Sequence, residues 1–237
     1  MLFRSPNDMP PLSTEVAAAI RKAAKDDRIT GLYLDIEGAP GGWASLQELR
    51  EAIASFPPEK PCYAYSEGFE NKTYYLATAC KNVYLPPGGY SMVTGLTTTI
   101  EYYAGALEKL GVQADFEHVG DYKSAIEPYE RTGPSDPASE AMDFLIGELA
   151  NQMVDGIAKG RSISPEDAQA LIDAPPITPN TAVERKLIDG LKYRDEVEEL
   201  AGKDRTDVED YIRSDRSLLP SGKKIAVVYA EIGRAHV

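Results

Sequence analysis

The run "HVGDYKSAIEPYERTGPSD", residues 118–136, places Lys123 and Ser124 side by side in a short polar turn. A lysine can move a proton only from its neutral form, and its ordinary pKa of about 10.4 leaves almost none at neutral pH. Such a base must be desolvated or crowded by other cations, at about 1.4 kcal/mol for each unit of pKa. Hydrolases that pair serine with lysine meet this demand by burying the amine beside the nucleophile. Tyr122 and Tyr129 flank Lys123 and are expected to shield it. The apolar run "VQADFEHVG" just before it is expected to be a strand that holds it. The competing reading is a solvated loop lysine. Ser124 is a poor nucleophile for its neighbour, because adjacent side chains in an extended segment face opposite ways. It is expected to bond locally to backbone.

Gly41 and Gly42, in "GAPGG", follow one β-rich run and precede a helical pattern. Backbone N–H groups there could hold an oxyanion or a peptide carbonyl. The same glycines could equally make a bare turn. The spacing is not G-x-G-x-x-G, so a dinucleotide site is not supported. Two histidines and two cysteines, without a spaced ligand cluster, argue against a metal centre. No cofactor and no metal are expected. A net charge of -13 without a Lys/Arg run excludes a general nucleic-acid binder. Cys62 and Cys80 lie in apolar runs and are expected to be buried free thiols, with pairing left open. No apolar run approaches the ~18 residues of a membrane span, and "MLFRSPNDMPPLSTEV" lacks the apolar centre of a signal peptide.

The elements that must carry these residues alternate. "TEVAAAIRKAAKD" reads as a helix with Val16, Ala19, Ile20 and Ala23 on one face. "ITGLYLDIEG" is a strand, and "APGGWASLQELREAIASF" a glycine turn and helix. "PCYAYSEG" is a second strand, "KTYYLATAC" a short helix, and "NVYLPPGGYSMVTG" a third strand. "TIEYYAGALEKLG" is a helix closed by Gly111, leading to "VQADFEHVG" as a fourth strand. Strands alternating with helices imply a parallel α/β sheet.

After Asp136 the pattern turns helical. Met142, Leu145, Ile146, Leu149, Met153 and Ile157 form one stripe of a long helix. "ISPEDAQALID" has Ser164 as N-cap and Pro165 at the first helical position. "TAVERKLIDGL" and "RDEVEELAG" give two more short helices. Residues 203–222 read as a linker, and "KKIAVVYAEIG" as a new strand. That strand needs neighbours for its backbone. It is expected to open a second repeat continuing past this sequence, the competing reading being an edge strand that returns to the first sheet.

The segments "LYLDIEGAPGGWASLQELREAI", "NKTYYLATACKNVYLPPGGYSMVTGLT", "YYAGALEKLGVQADFEHVGDYKSAIEPYERTGPSDPASEAMDFLIGEL" and "AVERKLIDGL" together resemble signal peptide peptidase A, specifically the first half of its long, duplicated form. The resemblance implies a Clp-protease/crotonase-like fold of repeated strand-strand-helix units. Residues 12–135 would form the first repeat, 136–202 a helical extension, 203–222 a linker and 223–233 the first strand of a second repeat.

It maps the general base of a Ser-Lys dyad onto Lys123, within Gly120, Tyr122, Lys123, Ser124, Ala125, Glu127, Pro128 and Tyr129. The nucleophile's turn in the family matches "ENKTYYLA", where Asn71 stands at the serine position and Lys72 and Thr73 replace glycines. This half is therefore expected to be inert alone, with the serine in the second repeat. "GAPGG" resembles the family's oxyanion turn but is expected to line a degenerate pocket.

The resemblance further implies a membrane-associated serine endopeptidase acting on signal peptides or other apolar peptides. It would have an anchor outside this chain, an extracytoplasmic (periplasmic) site and a ring-like, tetramer-like homo-oligomer. Two other functions stand beside it: a catalytically degenerate scaffold or peptide-binding repeat, and a crotonase-type acyl-CoA enzyme.

Overall fold

In the computed structural model, residues 13–39, 41–174 and 177–214 are described. Helix α1 (Ser13–Ala23) buries Ala17, Ala19 and Ile20 against α2 (Trp43–Ala54), which returns Leu46, Leu49 and Ile53. Between them runs β1 (Leu32–Asp35), followed by β2 (Cys62–Tyr65), β3 (Gly68–Glu70), α3 (Asn71–Ala77), β4 (Asn82–Leu85) and β5 (Tyr90–Met92). Then come α4 (Ala104–Lys109), α5 (Glu127–Glu130), α6 (Asp136–Arg161), α7 (Pro165–Ile172), α8 (Pro179–Glu184), β6 (Gly190–Leu191), α9 (Arg194–Ala201) and α10 (Val208–Ser214).

The main sheet has the order β1-β2-β4-β6 with every pair parallel, as the alternation predicts. Leu32 lies opposite Cys62, Ala64 opposite Val83, and Leu85 opposite Leu191. Strands β3 and β5 form a separate parallel pair. The run expected as one third strand is thus two, split by a turn in which Gly89 N–H donates to Pro86 O. Proline cannot donate within a ladder, so the first sheet ends there.

The fourth expected strand does not form. Residues 112–119 pair with no strand among the described residues, and Val119 is 95% exposed. A run of β-formers becomes a strand only where another strand bonds its backbone. The loop that carries Lys123 is therefore not held by the sheet.

Helix α6 forms where the sequence predicts a long helix, and Ser135 Oγ caps it by accepting from Ala138 N–H, a cap not read from the sequence. Its stripe is buried only at the far end. Met153 and Ile157 are in the core, Met142, Ile146 and Leu149 are half-buried, and Leu145 faces solvent. Helix α7 is capped by Ser164, as expected. Within 203–222, residues Val208–Ser214 are helical, and Tyr211 packs inward with its hydroxyl donating to Asp26. Residues 215–222 and the strand expected at 223–233 lie outside the described residues.

Cys62 and Cys80 are buried as expected but are not free: they form a disulfide with Cα atoms 5.0 Å apart. Strand β2 and the end of α3 place both thiols in one core region. That separation is within the range a disulfide spans, and sequence position alone could not reveal it.

Candidate active site

At its carboxyl end β1 runs into the glycine turn and β3 runs into the start of α3. Gly41 has φ +87°, a conformation open to glycine at little cost, and Gly42 is the N-cap of α2. Asn71 is the first residue of α3, and Thr73 holds the helix start by accepting from Glu70 N–H and donating to Glu70 O. Residues Thr73 to Ala77 are buried, so α3 presents Asn71 from a rigid base.

The mouth between the two turns is spanned by the protein's own side chains. Lys72 Nζ donates to Gly41 O at 3.1 Å. Asn71 Nδ2 donates to Gly95 O at 2.6 Å, and Asn71 Oδ1 accepts from Thr94 N–H at 3.0 Å and Gly95 N–H at 3.2 Å. Position 71, expected from the resemblance to match the nucleophile's turn, holds an amide that bonds the backbone of Thr94 and Gly95. An amide nitrogen is a poor nucleophile because its lone pair is delocalised into its own carbonyl.

Lys123 lies elsewhere, on the segment between β5 and α6. It caps the 3-10 turn Ser124–Ile126, its N–H donating to Gly120 O at 3.2 Å. Its side chain is exposed, and among the described residues its ammonium has neither a hydrogen-bond nor an ion-pair partner. Among the described residues the expected shielding by Tyr122 and Tyr129 does not occur. Tyr122 is 61% exposed and donates to Glu140 Oε2 at 2.8 Å, and this bond to an acidic acceptor raises its pKa. Tyr129 turns instead to Tyr103 and Phe116, with ring centroids 6.0 Å away in each case. Ser124 is half-buried beside the lysine. Lys123 is thus not brought against Asn71, Gly41 or Gly42 by any hydrogen bond.

Two features of the region were not read from the sequence. Glu127, within the motif quoted around Lys123, is buried, and its carboxylate accepts from Ser135 N–H (2.9 Å) and from Ser135 Oγ–H (2.5 Å). These bonds hold its pKa below the usual value. A glutamate four residues past the lysine, before a Pro, was the available signal.

The second feature is Arg194, at the start of α9, which donates to Asp35 Oδ2 (2.7 Å) and Glu37 Oε1 (3.4 Å) and lies 3.5 Å from Glu67. It ties together the loops that follow β1 and β2. Partial burial pushes the Asp35 carboxyl upward against the pull of Arg194. Nothing local in the sequence marks a contact across 159 residues. Among the described residues no cluster of His, Cys, Asp and Glu could hold a metal ion.

A four-stranded parallel sheet with strand–turn–helix ends, packed by helices, defines an α/β protein. The profile of Peptidase family S49 matches residues 55–208, and the chain belongs to that family. It is 31% identical over 196 residues to the chloroplastic serine protease SPPA of Arabidopsis thaliana, covering 82% of this chain and 28% of that protein. It is 34% identical over 194 residues to Protease 4 of Salmonella typhi, covering 78% of this chain and 31% of that one. A putative signal peptide peptidase SppA of Enterococcus faecium is 23% identical over 179 residues, covering 75% and 52%. Among solved structures, a ClpP1 mutant from Listeria monocytogenes superposes with a TM-score of 0.43 at 15% identity, covering 76% of this chain and 86% of its own. The chain spans about a third of the length of the first two relatives.

Proposed function

We propose that this chain is the base-bearing half of a serine endopeptidase whose nucleophile lies outside these residues. The observation that carries the reading is the pairing of an occupied amide at Asn71 with a lysine, Lys123, that has no partner among the described residues. One half of a Ser-Lys dyad is present and the other is replaced. Membership of a peptidase family and relatives that are proteases support hydrolysis of peptides. The name of one relative supports signal peptides as the substrate class.

An exposed lysine is a poor base, so the desolvation it needs must come from a body that docks over it. Exposed apolar side chains on the same segment between β5 and α6, Tyr103, Phe116 and Val119, suit such a cover and favour an oligomer, which we infer to be ring-like. No helix among the described residues is long and apolar enough to cross a membrane, so an anchor would belong to other parts of the protein. The Cys62–Cys80 disulfide favours an oxidising compartment, in line with an extracytoplasmic site.

The test is Lys123→Ala in the complete gene product, read as hydrolysis of an apolar peptide. Loss of a general base costs ~10²–10⁴-fold in rate, and a drop of that size with unchanged assembly is expected. Full activity in Lys123→Ala would remove the base assignment. The scaffold reading is favoured by the same filled site at Asn71. It predicts that a serine-directed acylating probe labels no residue of the complete protein.

A further inference from the structure

Residues 94–134 leave the body as an arm. Helix α4 has no buried residue, and Leu110, Val112, Phe116 and Val119 are all exposed. Among the described residues, the stretch 96–126 makes no hydrogen bond to residues 13–92. The arm is fastened at two places. At its return, Glu127 holds Ser135 and Tyr122 holds Glu140. At its departure Leu96 packs against the core, and among the described residues Asn71 is the only side chain of the body that hydrogen-bonds it, through the three bonds to Thr94 and Gly95.

The departure point is sharply defined. Gly95 has φ +85°, and a Cβ there would sit 3.3 Å from Ile172 of α7. The chain turns at this residue against a packed helix, and the Asn71 amide closes the turn from the other side. Such a clasp needs one donor and one acceptor at a reach of two bonds past Cβ, which asparagine has. A serine hydroxyl is one bond shorter and offers a single oxygen.

We propose that Asn71 is a positioning residue for Lys123, its amide clasping the root of the arm that presents the base. This rests on Lys123 being the base. The replacement that removed the local nucleophile is then also what gives the arm a fixed starting direction. A base on an arm rooted loosely would reach its serine in fewer of its conformations. Misplacement of ~1 Å far from the chemistry can cost ~10²-fold.

The experiment uses the complete gene product and two readouts, amide hydrogen exchange and steady-state kinetics. Asn71→Ala is expected to speed exchange at Thr94 and Gly95 by about tenfold or more, in line with loss of hydrogen bonds of about 1 kcal/mol each, while α3 and the sheet stay protected. It is expected to lower kcat by about tenfold with KM within twofold. Asn71→Asp keeps an acceptor for the Thr94 and Gly95 N–H groups but sets an oxygen against the Gly95 carbonyl where Nδ2 donates, so it should recover part of the exchange protection and part of kcat.

Unchanged exchange at Thr94 and Gly95 in Asn71→Ala overturns the clasp. Faster exchange with unchanged kcat, or a change in KM alone, overturns its role in positioning. If Asn71→Ala does not fold, Asn71→Asp decides: kcat as low as that of Lys123→Ala, in a folded protein, overturns the proposal. Full activity in Lys123→Ala overturns it through its premise, while the exchange data still report whether the root is clasped.

Discussion

Lys123 and Glu127 are four residues apart and have opposite environments. The lysine is exposed and without a partner among the described residues, whereas the glutamate is buried and doubly bonded to Ser135. Buried carboxylates persist when donors satisfy them. Here the donors sit on the N-cap of α6, so Glu127 joins the lysine's turn to that helix. Its folded pKa lies below its ordinary 4.5, because the Ser135 hydroxyl and N–H favour the charged form. The sign follows from linkage: the stabilisation is complete above about pH 4.5 and is lost as pH falls through the depressed folded value. Amide exchange at Ser135, followed from neutral pH downward, is expected to stay protected to below pH 4.5 and then rise. In Glu127→Gln this pH dependence should vanish, since no titrating group remains there.

Between elements, one junction that ties the long helix to the sheet layer is α6 against α3. A Cβ on Gly160 would approach the carbonyl oxygen of Thr78 to 2.0 Å, and one on Gly156 would meet the Tyr75 ring at 2.3 Å. Arg50 of α2 passes through the same junction, donating to the carbonyls of Tyr75, Thr78 and Gly156 and to Thr78 Oγ1 at 2.9 Å. Burial pulls its pKa down to about 10, which leaves it charged at neutral pH. Helix propensity favours Gly160→Ala by ~1 kcal/mol, but the clash is with backbone and cannot be relieved by a rotamer. Overpacking of this kind costs ~1–3 kcal/mol. Gly160→Ala is therefore expected to be destabilising by about 1 kcal/mol net, seen as a lower urea midpoint. A higher midpoint would mean the two helices can part freely.

For the molecule as a whole, the exposed apolar surface is concentrated on the arm and on the first half of α6, where Phe144 is 72% and Leu145 51% exposed. The helix stripe read from the sequence continues through this half, so its apolar residues have a partner to find. If a second body covers this face, Phe144→Asp in the complete protein is expected to lower the mass seen in sedimentation. It should also lower activity at protein concentrations where the parent is assembled. An unchanged mass would place the oligomer contact elsewhere.

The sequence by itself determined the alternation of parallel strands and helices, the cap at Ser164 and the presence of asparagine rather than serine at position 71. These are legible because periodicity, caps and residue types act within a few neighbours. The tertiary structure alone decided that residues 112–119 are not a strand and that Cys62 meets Cys80. It also showed that Glu127 is buried, that Arg194 gathers Asp35, Glu37 and Glu67, and that Asn71 grips Thr94 and Gly95. Each of these depends on groups between 8 and 159 residues apart in the chain, or on a neighbouring strand being present. Local sequence carries no record of such distances, because only the folded packing brings the partners together.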